Sequence, residues 1–145
     1  MSDTAQKPAP TPRAVPRESV YTNTAAFGEG VREGKLMLQY CKNSGKYQYF
    51  PRPVSIYTGR RNLEWRAASG KGVIYACTVV RIPSPGLDGR LPLCVATVEL
   101  DEGVRIIANI LDCAPEELAI GKRVKLAWDK LAEDKHYPAF MIDKG

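Results

Sequence analysis

Residues 40–59 read YCKNSGKYQYFPRPVSIYTG, and this segment contains one short pattern twice. Cys41 is followed three residues later by Ser44 and a glycine, and Ser55 is followed three residues later by Thr58 and a glycine. With cysteine at all four positions, the two halves would be the C-x2-C-G knuckles of a zinc ribbon, whose ligands bind the ion tetrahedrally. The pattern therefore raises the question whether a ribbon can persist with a single thiol.

The donor atoms at these four positions are a poor ligand set for zinc. Structural zinc sites use thiolates and imidazoles, and a Ser or Thr hydroxyl would have to ionise to compete with them. The one histidine of the chain, His136, lies far along the sequence. We therefore predict no metal ligands and no zinc, with the ribbon held by aromatic packing and by hydroxyls that cap turn backbone groups. The side chains expected to replace the metal are Tyr40, Tyr47, Tyr49, Phe50, Ile56 and Tyr57.

Size and composition indicate a soluble globular protein. The chain has 145 residues, of which 44% are hydrophobic and 26% are charged, and this allows one core with a small additional module. No apolar run is long enough for a transmembrane helix and the N-terminus does not resemble a secretory signal, so we expect a cytoplasmic protein. The four cysteines have no paired spacing and are expected to stay reduced and structural.

The first half of the chain predicts an arm, a helix and three strands. Residues 1–17 contain four prolines and almost no large apolar side chain, which predicts a disordered arm. A short helix is expected at 24–33, where Phe27 and Val31 lie one turn apart. Alternating apolar residues or aromatic runs predict strands at 35–40, 47–50 and 63–66. We assign residues 18–68 to a helix and degenerate-ribbon module.

From residue 69 onward the chain becomes rich in strand-forming residues. Two apolar runs, 73–80 and 93–100, are separated by a Pro- and Gly-rich loop, and the second forms a hairpin with 104–110 through the turn at 101–103. Residues 112–118 begin with an acidic cap and a proline, which predicts a short helix. Further strands are expected at 124–128 and 137–142. Three strands, a short helix and two strands is the order of an OB-fold barrel, which we assign to residues 69–145.

Several short motifs make the chain resemble the DUF35 family over residues 26–142. The residues that carry the resemblance are Gly34-Lys35-Leu36, Cys41, Gly45, Pro51-Arg52, Trp65, Ser69-Gly70-Lys71-Gly72, Tyr75, Thr78-Val79-Val80, Val95-Ala96, Glu102-Gly103 and Ile120-Gly121. The resemblance implies a mostly β protein. It would have an N-terminal short helix, a rubredoxin-like zinc-ribbon-type hairpin that has lost its metal, and a five-stranded OB-fold barrel. The vestigial ligand positions are Cys41, Ser44, Ser55 and Thr58.

The same resemblance implies a function. DUF35 proteins are often non-catalytic partners of thiolase-like enzymes, so we expect an accessory subunit that binds a thiolase-like or ketoacyl-synthase-like enzyme and helps handle acyl-CoA, in lipid or aromatic acid metabolism. Acyl-CoA would be a ligand, no cofactor or catalytic residue is assigned, and a homo-oligomer is compatible with this role. The loop at 82–92 can offer an apolar contact to the partner. The basic residues that can meet the CoA phosphates are Arg60, Arg61, Lys71, Lys122 and Arg123.

Two other functions remain open from the sequence. OB barrels also bind single-stranded nucleic acid through aromatic side chains and basic grooves, and the barrel candidates here are Tyr75, Trp128, Tyr137 and Phe140. The net charge of +5 is spread without a dense basic stripe, so nucleic acid is the weaker interpretation. The other alternative is an acyl-CoA enzyme or carrier acting alone. His136 lacks a nearby nucleophile in the sequence and is expected on a surface loop, which disfavours a catalytic relay.

Overall fold

The computed structural model describes residues 24–87, 89–130 and 136–145, so the predicted arm at 1–17 lies outside the described residues. The chain forms one α-helix, eight strands and a 3-10 turn within these ranges. The elements are α1 (Ala25–Arg32), β1 (Met37–Cys41), β2 (Lys46–Gln48), β3 (Leu63–Ala67), β4 (Lys71–Val80), β5 (Leu93–Leu100), β6 (Arg105–Asn109), the 3-10 turn (Pro115–Glu117), β7 (Arg123–Lys130) and β8 (His136–Ile142). Every strand predicted from the sequence is present, with ends within two residues of the prediction.

The ribbon is a three-stranded antiparallel sheet in the order β2-β1-β3. In its central strand, Gln39 is opposite Gln48 on one side and Trp65 on the other. β1 and β2 form a tight hairpin, in which the N–H of Gly45 donates to the carbonyl of Cys41 at 2.9 Å. A tight antiparallel hairpin is thus present where the ribbon was predicted, together with a third strand.

The second sheet has five strands in the order β6-β5-β4-β7-β8. All neighbours are antiparallel, and a parallel bridge from Ile110 to Phe140 brings the two outer strands β6 and β8 together. The bridge leaves a nearly closed five-stranded barrel with the strand order of an OB-fold. The predicted fold class is therefore confirmed.

The core extends from the barrel into the ribbon. β5 alternates between half-buried and fully buried residues, as expected for a strand with one face in a barrel interior. Leu36 and Leu38 at the start of the ribbon are 0% and 1% exposed, and they belong to the same buried cluster as Val98 and Phe140 of the barrel. The ribbon therefore rests on the barrel through shared apolar contacts, which position it against the β5–β6 hairpin.

The link between the two sheets explains the S-G-K-G motif. The Glu102 carboxylate in the β5–β6 turn accepts a hydrogen bond from the backbone N–H of Ser69. A Cβ atom at Gly72 would lie 2.5 Å from the Glu99 carbonyl oxygen, so the second glycine allows β4 and β5 to approach closely. The motif therefore allows β4 and β5 to pair closely, in addition to allowing the chain to turn.

Two local predictions need correction. The short helix predicted at 112–118 is present as the 3-10 turn Pro115–Glu117 with the proline at its start, but its N-cap is Ala114 and not an acidic residue. The Glu117 carboxylate accepts a hydrogen bond from the Ala114 N–H at 3.0 Å. Asp112 instead has a positive φ of 48°, so it lies in a turn before the cap. His136 is exposed as expected, but it begins β8, opposite Lys130, and is not in a loop. Among the described residues, no helix is long and apolar enough to cross a bilayer.

Candidate interaction surface

The vestigial ligand positions still cluster around one sulfur atom. Cys41 is fully buried, and its sulfur lies 3.6 Å from the Nδ2 atom of Asn62. Burial raises the pKa of this thiol, but hydrogen bonds from the Ser44 and Ser55 hydroxyls and from the backbone N–H groups of Ser44 and Asn43 outweigh it and lower the pKa to about 6. The sulfur therefore sits among hydrogen-bond donors where a zinc ribbon would place the metal.

The three hydroxyls are engaged in the knuckles themselves. Ser55 Oγ accepts a hydrogen bond from the N–H of Tyr57 at 3.1 Å, and Thr58 Oγ1 accepts one from the N–H of Arg60 at 3.3 Å. These two bonds confirm the predicted capping of turn backbone groups. Ser44 differs, because its buried hydroxyl has no hydrogen-bond partner in good geometry among the residues that the structure describes, although its proximity helps to lower the pKa of the Cys41 thiol.

The ligand chemistry of this cluster does not fit a structural zinc ion. A tetrahedral zinc site requires four soft, deprotonated or imidazole donors, and the cluster offers one thiol and three neutral hydroxyls. Over residues 24–87, 89–130 and 136–145 no group of three or more His, Cys, Asp or Glu side chains is arranged to hold a metal ion.

A buried amide network ties the second knuckle to the sheet. Gln39 and Gln48 are 5% and 2% exposed, and the Nε2 of Gln48 donates to the Oε1 of Gln39 at 2.8 Å. Gln39 exchanges two hydrogen bonds with the backbone of Arg52, at 2.8 and 2.9 Å. Gln48 donates to the carbonyl of Val54 at 3.2 Å and accepts from the N–H of Ile56 at 2.9 Å. Sequence reasoning missed this network, although two glutamines in adjacent ribbon strands were a visible signal.

Aromatic packing follows the prediction only in part. Tyr40 and Tyr47 meet edge to face with centroids 5.0 Å apart, and Tyr49 contacts the ring of Phe27 in α1 at 6.5 Å. Burial raises the pKa of Tyr49 to about 12, with a smaller contribution from the charge of Tyr137. These rings support the ribbon as expected.

Three of the six side chains assigned to this packing face solvent. Phe50, Ile56 and Tyr57 are 64%, 57% and 42% exposed and so contribute little buried area, although Phe50 stacks on Tyr49 with ring centroids 4.5 Å apart. The amide network already orders the backbone between residues 52 and 56, and this leaves the neighbouring apolar side chains on the outside. We call residues 50–61 the ribbon tip.

The ribbon tip is also basic. Residues 37–67 contain six Lys and Arg residues and one Glu, so they carry a formal charge of +5, equal to the net charge of the whole chain. The Glu pairs with Lys42 and Arg66. Arg52, Arg60 and Arg61 are exposed and form no ion pair with any other residue that the structure describes.

A groove of about 330 Å³ lies between the ribbon and the barrel. Its ribbon side includes Tyr47, Ile56 and Tyr57, and its barrel side is the β5–β6 hairpin with Glu99 and Arg105. The residues that line it are Tyr47, Gln48, Tyr49, Ile56, Tyr57, Glu99, Gly103, Val104 and Arg105. The groove thus continues the surface of the ribbon tip into the barrel.

The structure separates the five basic residues assigned to CoA binding. Arg60 and Arg61 lie on the ribbon tip, while Lys71 and Arg123 flank Asp101 at the β5–β6 turn. Arg123 makes a bidentate ion pair with Asp101 at 2.9 and 3.1 Å, which lowers the pKa of that carboxyl. The five side chains therefore do not converge on a single phosphate site. Lys122 is adjacent in sequence to Arg123 but lies near Glu117 and Cys113, whose pKa values its charge lowers.

A buried ion pair anchors the loop between β4 and β5. Arg90 contacts Asp129 through two hydrogen bonds of 2.9 and 2.7 Å, and Asn109 donates to the same carboxylate at 3.1 Å. The bond to Asp129 raises the pKa of Arg90. Ile82 in this loop is 76% exposed, so the base of the loop is fixed while an apolar side chain faces outward. The sequence predicted the loop but not the Arg90–Asp129 ion pair that fixes it.

Two of the four candidate barrel aromatics are poorly placed for stacking on nucleic acid bases. Phe140 is completely buried, and the guanidinium of Arg105 lies 3.5 Å from the ring centroid of Tyr75. One face of the most exposed candidate ring is therefore already covered by a cation of the protein itself.

Comparison with known proteins places this geometry in a family. A family model described as the C-terminal OB-fold domain of ChsH2 matches residues 65–129, which span β4, β5, β6 and most of β7. A DUF35 domain-containing scaffold protein of Methanocaldococcus jannaschii is 36% identical over 96 residues, covering 65% of this chain and 67% of the relative.

Two further comparisons come from multisubunit enzymes. The 3-oxo-4,17-pregnadiene-20-carboxyl-CoA hydratase alpha subunit of Mycobacterium tuberculosis is 30% identical over 132 residues, and the match covers 84% of this chain but only 42% of that subunit. A solved structure named Ltp2-ChsH2(DUF35) aldolase matches with a TM-score of 0.78 and 28% identity, over 87% of this chain and 98% of the matched one. With the fold, the motifs and a 36% identical relative in agreement, the chain belongs to the DUF35 family.

Proposed function

We propose that this chain is a non-catalytic accessory subunit of an acyl-CoA-processing enzyme. The observation that carries the proposal is the structural match to a chain of the Ltp2-ChsH2(DUF35) aldolase structure. The match covers 98% of that chain. The relative named as a CoA-ester hydratase alpha subunit supports the same chemistry. In both cases the name is that of a larger enzyme, and this chain corresponds to a part of it.

The roles of the ionisable side chains support a scaffold function. Asp129 is bound by Arg90 and Asn109, Glu117 accepts from the Ala114 N–H, and Glu102 accepts from the Ser69 N–H. Each of these carboxylates satisfies a structural donor, which lowers its availability as a general base.

The finer proposal is that the enzyme partner has a thiolase-like fold and that this chain helps enclose the acyl-CoA. Arg123 is held by Asp101, whereas Lys71 and Lys122 are exposed outside the ribbon tip and form no ion pair with a residue that the structure describes. These two lysines are the predicted CoA contacts that would donate charge-assisted hydrogen bonds to a CoA phosphate.

Co-purification from the native cell tests the proposal. The full-length chain, carrying an affinity tag, is expected to retain an enzyme subunit in a fixed molar ratio, identified by mass spectrometry and light scattering. Turnover of a CoA ester is then measured for that subunit alone, for this chain alone and for the complex. The proposal predicts activity in the complex, reduced activity in the isolated subunit and none in this chain. Turnover by this chain alone would refute it.

We also propose that the ribbon folds without zinc. Metal analysis of the purified chain is expected to give far less than one zinc per chain, and excess chelator is expected to leave the unfolding transition unchanged. A matched variant with Ser44→Cys, Ser55→Cys and Thr58→Cys restores four thiols around the Cys41 sulfur. This variant is expected to bind cobalt with the absorption of a tetrahedral thiolate site, whereas the natural chain is not. Stoichiometric zinc in the natural chain would contradict the proposal.

A further inference from the structure

We propose that the ribbon tip, residues 50–61, is a docking surface for an acidic patch on the partner enzyme subunit. The inference rests on the proposed function and adds to it the surface that makes the contact and the charge of its counterpart. It follows from the charge of the tip, from its exposed apolar side chains and from the rigid backbone that holds them.

Charge complementarity defines the partner surface. Arg52, Arg60 and Arg61 are exposed, and the structure shows no acidic side chain paired with them among the residues it describes. The carboxylate of Glu64, the one acidic residue of the ribbon, is engaged by Lys42 and Arg66. The tip therefore presents uncompensated positive charge, which attracts an acidic surface and accelerates its encounter.

Apolar side chains provide the area that such a contact needs. Phe50, Ile56 and Tyr57 are all more than two-fifths exposed; Phe50 precedes Arg52, and the other two lie between Arg52 and Arg60 in sequence. Exposed apolar side chains rimmed by charged residues are typical of protein interfaces. The groove behind Ile56 and Tyr57 gives a side chain of the partner a place to enter.

The tip is organised before any partner binds. The Tyr57 hydroxyl donates to the Tyr47 carbonyl at 2.6 Å, and the N–H of Ser55 donates to the Arg60 carbonyl at 2.9 Å. The Gln48 side chain holds the N–H of Ile56. A backbone that is already fixed loses little conformational entropy on binding, which favours a specific contact.

The ring geometry favours a protein over a nucleic acid. Bases would stack on open aromatic faces, but the Tyr57 ring has the Lys46 ammonium 5.4 Å from its centroid, and Phe50 is stacked on Tyr49 at 4.5 Å. Exposed aliphatic surface at Ile56 offers nothing to a phosphate backbone. The tip has apolar side chains surrounded by arginines. Its complement is a partner protein surface that has apolar side chains surrounded by acidic residues.

The test uses the enzyme subunit that co-purifies with the full-length chain. Its dissociation constant is measured by titration for the natural chain, for Arg60→Glu combined with Arg61→Glu, and for Ile56→Ser. Lys125→Glu combined with Lys130→Glu is the matched control, because it reverses two exposed charges outside the tip. Circular dichroism and urea unfolding verify that each variant is folded.

We expect both tip variants to bind at least about tenfold more weakly and the control to stay within about twofold. The salt dependence of binding should also decrease in the double arginine variant. If the natural chain binds the subunit and the tip variants bind as well as the control, the docking surface is wrong while the proposed function stands. If no enzyme subunit co-purifies, the proposed function fails. Arginine-dependent binding of a 20-nucleotide single strand at low salt, without a protein partner, would overturn the docking proposal in favour of nucleic acid.

Discussion

Replacing Gln48 by alanine should destabilise the protein more than any exposed substitution in the ribbon. The side chain is 2% exposed and makes three hydrogen bonds, to Gln39 Oε1, to the Val54 carbonyl and from the Ile56 N–H. In the alanine variant, the last two backbone groups lose their side-chain partner. The network thus replaces, with neutral amides, the cross-link that four thiolates and zinc give to other ribbons.

The magnitude follows from the number of bonds. A buried neutral hydrogen bond contributes about 1 kcal/mol, so the three bonds of Gln48 correspond to a loss of about 3 kcal/mol in the free energy of unfolding. For a denaturant slope of about 2 kcal/mol per M urea, this lowers the unfolding midpoint by about 1.5 M. Since small domains are stable by about 5–15 kcal/mol, the variant should still fold.

Urea titration followed by circular dichroism and tryptophan fluorescence measures this loss, with Trp65 of β3 as a reporter in the ribbon. Arg61→Ala is the control, because Arg61 is exposed and should change the free energy of unfolding by less than about 0.5 kcal/mol. If Gln48→Ala and Arg61→Ala unfold at the same midpoint, the amide network does not stabilise the ribbon and the reasoning is refuted.

Three further outcomes test the barrel. Asp129→Ala should cost about 3–5 kcal/mol, because it leaves the buried Arg90 without its bidentate partner, and a urea midpoint equal to that of the natural chain would contradict this. Gly72→Ala should cost about 1–3 kcal/mol, since the added Cβ would lie 2.5 Å from the Glu99 carbonyl oxygen, and an unchanged thermal midpoint would show that β4 and β5 can separate freely. Burial and its buried thiol neighbour raise the pKa of Cys113 to about 11 from 9.0. Its alkylation at pH 8 should therefore be about tenfold slower than that of an ordinary thiol, because the smaller thiolate fraction is partly offset by the greater nucleophilicity of a more basic thiolate. The rate, measured by peptide mass spectrometry, should still increase up to about pH 11, and saturation near pH 9 would refute this.

The sequence predicted the barrel strands because their signals were local. β5 is apolar at almost every position and is bounded by a proline loop and an Asp-Glu-Gly turn, so its limits at Leu93 and Leu100 agree with the prediction. The short helix before β7 was a weaker case. Its proline and acidic residues predicted a helical start, and this start is present, but it extends over only three residues as a 3-10 turn.

The candidate site was less accessible to sequence reasoning, because its properties depend on partners far apart in the chain. Gln39 and Gln48 look like ordinary polar strand residues until the register places them opposite each other. Arg90 and Asp129 are 39 positions apart, and nothing in the sequence joins them. The sequence did not indicate that Phe50 is exposed, because aromatic residues beside the vestigial ligand positions suggested packing. The positive charge of the chain was visible in the sequence. Its concentration in the ribbon became apparent only once the structure showed the ribbon to be one module.

The single thiol among the four vestigial ligand positions and the basic ribbon tip are physically connected. A zinc ion bound by four thiolates carries a net charge of about −2, which would offset much of the positive charge of a ribbon like this one. Here the cluster holds only the Cys41 sulfur, whose hydrogen bonds from Ser44 and Ser55 favour a single negative charge. Arg60 and Arg61 next to Thr58 therefore act on their surroundings with less internal compensation. The amide network fixes the same loop without adding charge. With hydroxyls in place of thiols, the ribbon is therefore folded and its electrostatic potential is more positive. An acidic partner surface would recognise this positive potential.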